Sequence, residues 1–241
     1  MKTERIHKMN LFTMAIGALA MLSCSTIPST GQTVKETRNV SAFNEIGLAM
    51  SGDVYISQGD RQSVVVEADK DVQEIILTEI RGDMLVIKTE NGHWRNLGDV
   101  KVYITVPDIR KLSLSGSGEM VCQTQVRAPE ITVEISGSGN VTIDKLESSR
   151  ISATITGSGN IRLAGNNEQA SLEAVITGSG SFKAEELSVA NADVDITGSG
   201  SARVNVLKEL ETNITGSGSV QYKGNPIVNA RSTGSGKTVS F

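Results

Sequence analysis

Apolar and polar residues alternate with a period of two over most of the second half of the chain, on both sides of a repeated Gly-Ser-Gly. Such alternation is typical of β-strands that bury one face. A helix is not predicted, because no repeat carries apolar residues at three-and-four spacing for more than one turn. The apolar positions before the glycines are Ile131/Val133/Ile135, Ile151/Ala153/Ile155, Leu172/Ala174/Ile176, Ala192/Val194/Ile196 and Leu210/Thr212/Ile214.

The Gly-Ser-Gly motif recurs at intervals of 18 to 21 residues. A fixed period near this length in a β-rich sequence is typical of stacked coils, with one superhelical turn per repeat. We therefore predict an all-β fold, a single-stranded parallel β-helix, and a right-handed one because parallel crossovers are overwhelmingly right-handed. A β-sandwich is the alternative, since short alternating strands with turns also suit it. The first glycines of the motifs are Gly116, Gly137, Gly157, Gly178, Gly198, Gly216 and Gly234.

Stacking of these coils predicts two columns of side chains along the axis. Aliphatic residues from Leu114 to Ile214 are expected to form an internal ladder, each contributing roughly 1.5–3 kcal/mol when fully buried. On the outside, one hydroxyl residue per coil is expected to form a second column. That column comprises Ser115, Ser136, Thr156, Thr177, Thr197, Thr215 and Thr233.

Four segments are predicted along the chain: a lipoprotein signal peptide (1–23), a flexible tether (24–39), an irregular N-terminal β region (40–110) and the regular β-helix (111–241). The irregular region contains a diverged form of the repeat at 48–56, and strands are predicted at 63–68, 75–80, 84–89 and 100–106. We expect it to cover the first regular coil, because terminal repeats of solenoids are atypical. The tripeptide Arg81-Gly82-Asp83 is interpreted as a hairpin turn.

The N-terminus has a basic start followed by an apolar stretch, 11–22, that is too short to span a bilayer. Met21-Leu22-Ser23-Cys24 resembles a bacterial lipobox, so Cys24 is the predicted lipid-attachment residue. Ordinary signal cleavage is the alternative, because Met21 departs from the usual leucine. The predicted location is the outer membrane, on its periplasmic or surface-exposed side, and the lack of an acidic cluster after Cys24 favours the periplasmic side.

Composition excludes several kinds of function. Removal of residues 1–23 takes away three basic residues and one acidic residue, so the formal charge changes from −4 to −6. That charge argues against nucleic acid as a partner. Beyond Cys24 the chain has one cysteine, Cys122, expected in the core, and one histidine, His93. No disulfide framework, Cys/His metal site or cofactor is therefore predicted.

Two groups of residues are candidate sites. The loop 91–98 holds His93, Trp94 and Arg95, a mixture enriched at interface hot spots, and these three are the predicted ligand or partner contacts. The alternative is that Trp94 fills a gap between the two halves. Asp193 and Asp195 lie two apart on one outward strand face, where they could serve as acid and base or be solvated surface charges.

Several short pieces of the chain carry a family resemblance. They are Phe43-Asn44-Glu45-Ile46, Ser51-Gly52-Asp53-Val54, residues 102–107, and turns such as Ile155-Thr156-Gly157-Ser158-Gly159-Asn160-Ile161. Through these pieces the chain resembles the head GIN domain family of auto-transporter adhesins over roughly residues 40–236. The resemblance implies a lipid-anchored or secreted Bacteroidetes protein with a right-handed β-helix. It supplies no catalytic or binding residues to carry over.

The predicted function is that of a non-catalytic cell-envelope lipoprotein, an adhesin or structural module that presents a β-helical surface to a glycan or protein ligand. The alternative is a carbohydrate-binding or carbohydrate-processing β-helix acting near Asp193 and Asp195 or His93. A third hypothesis is self-association into a homo-oligomer through uncovered coil ends.

Overall fold

The computed structural model describes residues 25–26, 31–90, 94–95 and 97–241; Cys24 and His93 lie outside these ranges. The described part is almost entirely β-structure, with one short helix, α1 (Lys70–Gln73). The strands are β1 Ser25–Thr26, β2 Thr33–Thr37, β3 Glu45–Ala49, β4 Asp53–Gln58, β5 Ser63–Asp69, β6 Ile76–Arg81, β7 Met84–Thr89, β8 Trp94–Arg95, β9 Lys101–Val106, β10 Lys111–Gly116, β11 Glu119–Cys122, β12 Val126–Gly137, β13 Asn140–Ile143, β14 Leu146–Gly157, β15 Asn160–Gly178, β16 Ser181–Gly198, β17 Ser201–Gly216, β18 Ser219–Lys223, β19 Ile227–Gly234 and β20 Lys237–Ser240.

The predicted parallel β-helix is confirmed. Each strand that precedes a Gly-Ser-Gly pairs in parallel with its counterparts in the coils before and after it, so that Ile155 lies level with Ile135 and Ile176. Leu172 is likewise level with Ile151 and Ala192, which excludes the opposed layers of a β-sandwich. The internal ladder is buried, with Ile155 and Ile176 no more than 1% exposed. The right-handed sense remains a prediction from the crossover preference.

The glycines allow successive coils to approach closely at the turn. Gly157 has φ +123°, and a Cβ there would lie 2.5 Å from the carbonyl oxygen of Gly137 in the preceding coil. Glycine is the residue that adopts this backbone conformation without strain and leaves that space open. The turns also stack through side chains, because the Asn160 amide donates to Asn140 Oδ1 at 2.8 Å.

The predicted hydroxyl column is present on the outside. Its members are exposed and lie in register from coil to coil, from Ser115 opposite Ser136 to Thr215 opposite Thr233. The column therefore follows the Gly-Ser-Gly turns along the regular part of the solenoid.

The coils do not have equal lengths, and the extra residues are absorbed at the corner that precedes the internal ladder. At this corner, between β14 and β15, a side chain replaces the backbone hydrogen bonds between neighbouring strands. The Ser148 N–H donates to Asn167 Oδ1 (2.6 Å), and the Asn167 amide donates to the Leu146 carbonyl (2.8 Å). Asn167 is 7% exposed, so its amide takes the place of a backbone peptide group inside the corner. The register with β16 then shifts between Asn167 and Ser171.

Two sheets run the length of the described solenoid. The sheet that precedes the turns, here the pre-turn sheet, runs from β6 through β7, β3, β10, β12 and β14 to β19. The sheet that follows the turns, the post-turn sheet, runs from β2 through β5, β9, β4, β11 and β13 to β20. The diverged repeat at 48–56 is thus one coil of the solenoid, in register with β10 and β11.

At the N-terminal end the strand direction reverses. β6 pairs antiparallel with β7, β5 with β9, and β2 with β5, so the parallel array ends in antiparallel strands. The strands predicted at 63–68, 75–80, 84–89 and 100–106 correspond to β5, β6, β7 and β9. The predicted hairpin turn at 81–83 joins β6 to β7, with Gly82 at φ +62°.

Residues 33–37, which the sequence placed in the tether, form strand β2. Their backbone is held by Gln73, which is 2% exposed and whose amide donates to the carbonyl oxygens of Val34 and Val66. Arg38 donates to Gln73 Oε1 at 2.8 Å. The buried side chain of Gln73 in α1 therefore stabilises β2, the outermost described strand of the post-turn sheet.

Candidate functional site

The predicted contact residues of the 91–98 loop are only partly described. Cys24 and His93 lie outside the described residues, whereas Trp94 and Arg95 lie within them. These two residues form β8, which pairs in parallel with β1, Ser25 opposite Trp94 and Thr26 opposite Arg95. The structure therefore joins the segment that follows Cys24 to the loop that sequence analysis singled out.

Asp193 and Asp195 occur on the outward face of β16 within a larger group of carboxylates. Asp193 lies opposite Glu173 in the preceding coil and Glu211 in the following one. Carboxylates directly opposite one another on neighbouring strands repel. Burial, then Asp195, Glu211 and Glu173, raise the pKa of Asp193 above its ordinary value.

An open groove of about 460 Å³, which we call the acidic groove, lies beside Asp193 at the corner of the coils. Glu173, Asp193, Glu209 and Glu211 line it, and Arg150 is its basic residue. Arg150 is held by Glu130, Nη2 to Oε2 at 2.8 Å. The groove therefore presents a negative surface suited to a cationic or hydroxyl-rich ligand.

A second groove of about 540 Å³ lies beside the first and is lined by residues 127–129, 147–149 and 166–170. It exists because the coil of β15 carries extra residues between Asn167 and Ser171, where the register shifts. Arg127 and Glu147 form an ion pair at its edge, Nε to Oε2 at 2.9 Å. This groove was not predicted from the sequence, although the longer interval between Gly157 and Gly178 was a signal for it.

Two tyrosines form an aromatic pair on the outward face of the post-turn sheet. The rings of Tyr55 and Tyr103 stack with centroids 5.4 Å apart, and Lys35 Nζ lies 5.0 Å from the Tyr103 centroid. A hydrogen bond from Tyr103, together with Lys35, lowers the pKa of Glu67. The rings face each other, and Lys35 covers Tyr103. We therefore interpret the pair as stabilising the sheet and not as a surface on which a sugar ring stacks.

Cys122 lies in the core, as its alternation predicted, and burial raises the pKa of its thiol to about 12. A thiol with that pKa is an inert side chain at neutral pH. Among the described residues there is no cluster of three or more His, Cys, Asp or Glu side chains arranged to hold a metal ion. No helix in the described part of the chain has the length and hydrophobicity needed to cross a bilayer.

Solved structures share this fold. A "putative adhesin" from Bacteroides fragilis aligns with a TM-score of 0.84 at 21% identity, covering 89% of this chain and 100% of that one. A "putative lipid binding protein" from Parabacteroides distasonis aligns with a TM-score of 0.77 at 22% identity, covering 90% of this chain and 100% of that one. A "putative adhesin" from Parabacteroides merdae aligns with a TM-score of 0.72 at 20% identity, over 90% and 99% of the two chains.

At such identities these likenesses show the fold alone. No curated protein matches the chain. The family model described as "Putative auto-transporter adhesin, head GIN domain" matches residues 42–226, which is most of the chain and includes the irregular coils and six of the seven Gly-Ser-Gly motifs. The chain therefore belongs to the head GIN domain family of auto-transporter adhesins.

Proposed function

We propose that this chain is a non-catalytic protein of the cell envelope, anchored to the outer membrane by a lipid on Cys24, whose β-helix binds a glycan or protein ligand. The family match over residues 42–226 carries the proposal. The basic, apolar and lipobox-like sequence at residues 2–24 supports the anchor.

Fractionation of cells tests the anchor. Cys24→Ala is expected to move the protein from the membrane fraction to the soluble fraction, because a protein without the acyl chains loses its hold on the bilayer. Ser25→Ala, one residue further on, is the matched control and should stay in the membrane fraction. Unchanged membrane association of Cys24→Ala would exclude the lipid anchor.

A binding screen tests the adhesive role. Residues 25–241 contain every described residue and can be presented to arrays of glycans and matrix proteins. A specific ligand is expected, with binding reduced by Trp94→Ala if the 93–95 segment makes the contact and by Asp193→Asn if the acidic groove does. Asp60→Asn, an exposed carboxylate of the N-terminal region, is the control. Absence of any ligand across both arrays would count against an adhesin.

A second candidate function is processing of a carbohydrate in the acidic groove. The raised pKa of Asp193, beside Asp195 in the same strand, favours it, because two neighbouring carboxyl groups can act as acid and base. Turnover of a polysaccharide that disappears in both Asp193→Asn and Asp195→Asn would establish this function. Binding of the polysaccharide without turnover would leave the adhesive role.

A further inference from the structure

The two ends of the solenoid differ in how they are covered. At the C-terminal end, β19 and β20 pair on one side with β17 and β18, and no described strand pairs with their outer edges. Exposed large apolar side chains also concentrate here. Of the four among the described residues, three belong to this coil: Ile227 (78% exposed), Val239 (43%) and Phe241 (59%). An exposed apolar strand edge is a template for pairing with another chain.

The same coil is positively charged. Residues 219–241, here the terminal coil, contain Lys223, Arg231 and Lys237 and no aspartate or glutamate, a formal charge of +3 on the side chains. Arg231 reaches Glu211 of the preceding coil at 3.9 Å, with its side chain 70% exposed. A partner for this end should therefore be acidic and should offer strands.

The opposite, N-terminal end of the same molecule is acidic and offers strands for pairing. The segment 67–83, here the cap segment, carries six acidic and two basic residues, a formal charge of −4. It includes α1 and β6, and β6 is the outermost described strand of the pre-turn sheet, paired with β7 alone. β2, paired with β5 alone, is the outermost described strand of the post-turn sheet.

We propose that the terminal coil of one copy docks on the cap segment of a second copy, so that the solenoids join head to tail. Strand directions allow this: β6 runs opposite to β19, whereas β2 runs in the same direction as β20, so the first pair would be antiparallel and the second parallel. Backbone N–H and C=O groups at the two ends then satisfy one another, and the charges of +3 and −4 attract.

Two other occupants fit less well. An anionic membrane would attract the cationic, apolar coil, but unpaired strand edges are not tolerated in hydrocarbon. A second copy docked through its own terminal coil would bring two groups of +3 together. A head-to-tail contact between different surfaces is open-ended, so it produces growing chains instead of a closed dimer. This inference is independent of the ligand proposed above.

Sedimentation velocity of residues 25–241 over a concentration series at low ionic strength tests the contact. The mean mass is expected to rise with concentration beyond that of a dimer and to fall when salt screens the charges. Arg231→Glu with Lys237→Glu should weaken association at least tenfold. Lys183→Glu with Lys208→Glu makes the same charge change on exposed side positions and should leave association unchanged. Unaltered melting temperatures show that each variant is folded.

Complementation gives the sharper test. Asp71→Lys with Glu74→Lys alters only the cap segment, and this variant should also be monomeric. Mixed with the terminal-coil variant, it should associate, because each protein then supplies one intact end. A monomeric wild type, a cap variant that associates like the wild type, or a mixture that stays monomeric would each overturn the proposal. Binding of the monomer to anionic vesicles through the terminal coil would overturn it in favour of a membrane.

Discussion

The regular coils and the antiparallel N-terminal end, here the N-terminal cap (β2, β5, α1 and β6), are held together in different ways. In the regular coils each strand pairs in parallel with the strand about 20 residues away, and the core consists of aliphatic side chains stacked in register. In the cap, strands pair antiparallel, and a buried glutamine fixes the outermost strand β2. Repetition thus builds the length of the solenoid, whereas individual side chains close its N-terminal end. Substitutions in the two regions should accordingly have different consequences.

The largest expected effect is at the Gly-Ser-Gly turns. Gly157→Val should reduce the free energy of unfolding by roughly 5 kcal/mol or more, because the backbone has φ +123° and the new Cβ would meet the Gly137 carbonyl. Gly82→Ala in the cap hairpin, at φ +62° with nothing within 4 Å of the added Cβ, should cost about 1 kcal/mol. Denaturant titration measures both. Equal costs at the two sites would mean that close coil stacking is not what requires the glycine.

The next effect concerns the internal ladder. Ile176→Ala should cost about 3 kcal/mol, because it leaves a cavity between two coils at a side chain that is 1% exposed. Val239→Ala, on the terminal coil at 43% exposure, should change stability by about 0.5 kcal/mol or less. Thermal unfolding monitored by circular dichroism compares them. A similar cost at both positions would contradict a core that becomes exposed at the terminal coil.

A smaller, local effect is expected in the cap. Gln73→Leu removes the side-chain amide that donates to the Val34 and Val66 carbonyls and the Oε1 that accepts from Arg38, at a cost of about 1–3 kcal/mol. Arg38 keeps its contacts with the backbone carbonyl of residue 73 and with Glu36. Hydrogen exchange should accelerate in β2 while the coils from β12 to β17 remain protected. If protection fell equally throughout the solenoid, the cap would not be a separate unit.

The smallest effect concerns charge in the acidic groove. Since the folded-state pKa of Asp193 is raised, ionised Asp193 costs stability at neutral pH, and this cost disappears as the pH falls through the folded-state pKa. Asp193→Asn should therefore be more stable than the wild type at pH 7, by less than about 0.5 kcal/mol because solvent screens this exposed group. The difference should vanish under acidic conditions. A variant less stable than the wild type at pH 7 would show that Asp193 makes a favourable contact.

Where the chain repeats itself, the sequence was a sufficient guide. The inward positions of Ile155 and Cys122 and the outward position of Asp193 follow from alternation alone, because a strand has a period of two. The grooves were not predictable in the same way. The grooves depend on where along a longer coil its extra residues are placed. The interval from Gly157 to Gly178 shows that this coil is longer, but it does not show where in the coil the extra residues lie. The acidic groove also required register, which brings Glu173, Asp193 and Glu211 into one line.

By itself, the sequence determined the β-helix, its repeat length and the sides of its strands, because these follow from local alternation and from glycines spaced at nearly constant intervals. Only the tertiary structure decided how the solenoid ends. The antiparallel pairing of β2, β5 and β6 and the placement of Gln73 beneath Val34 depend on contacts between segments with no common pattern. The sequence predicted uncovered coil ends, whereas the assembled sheets identify β19 and β20 as the strands whose outer edges no described strand covers, because an edge is a property of a sheet and not of a strand.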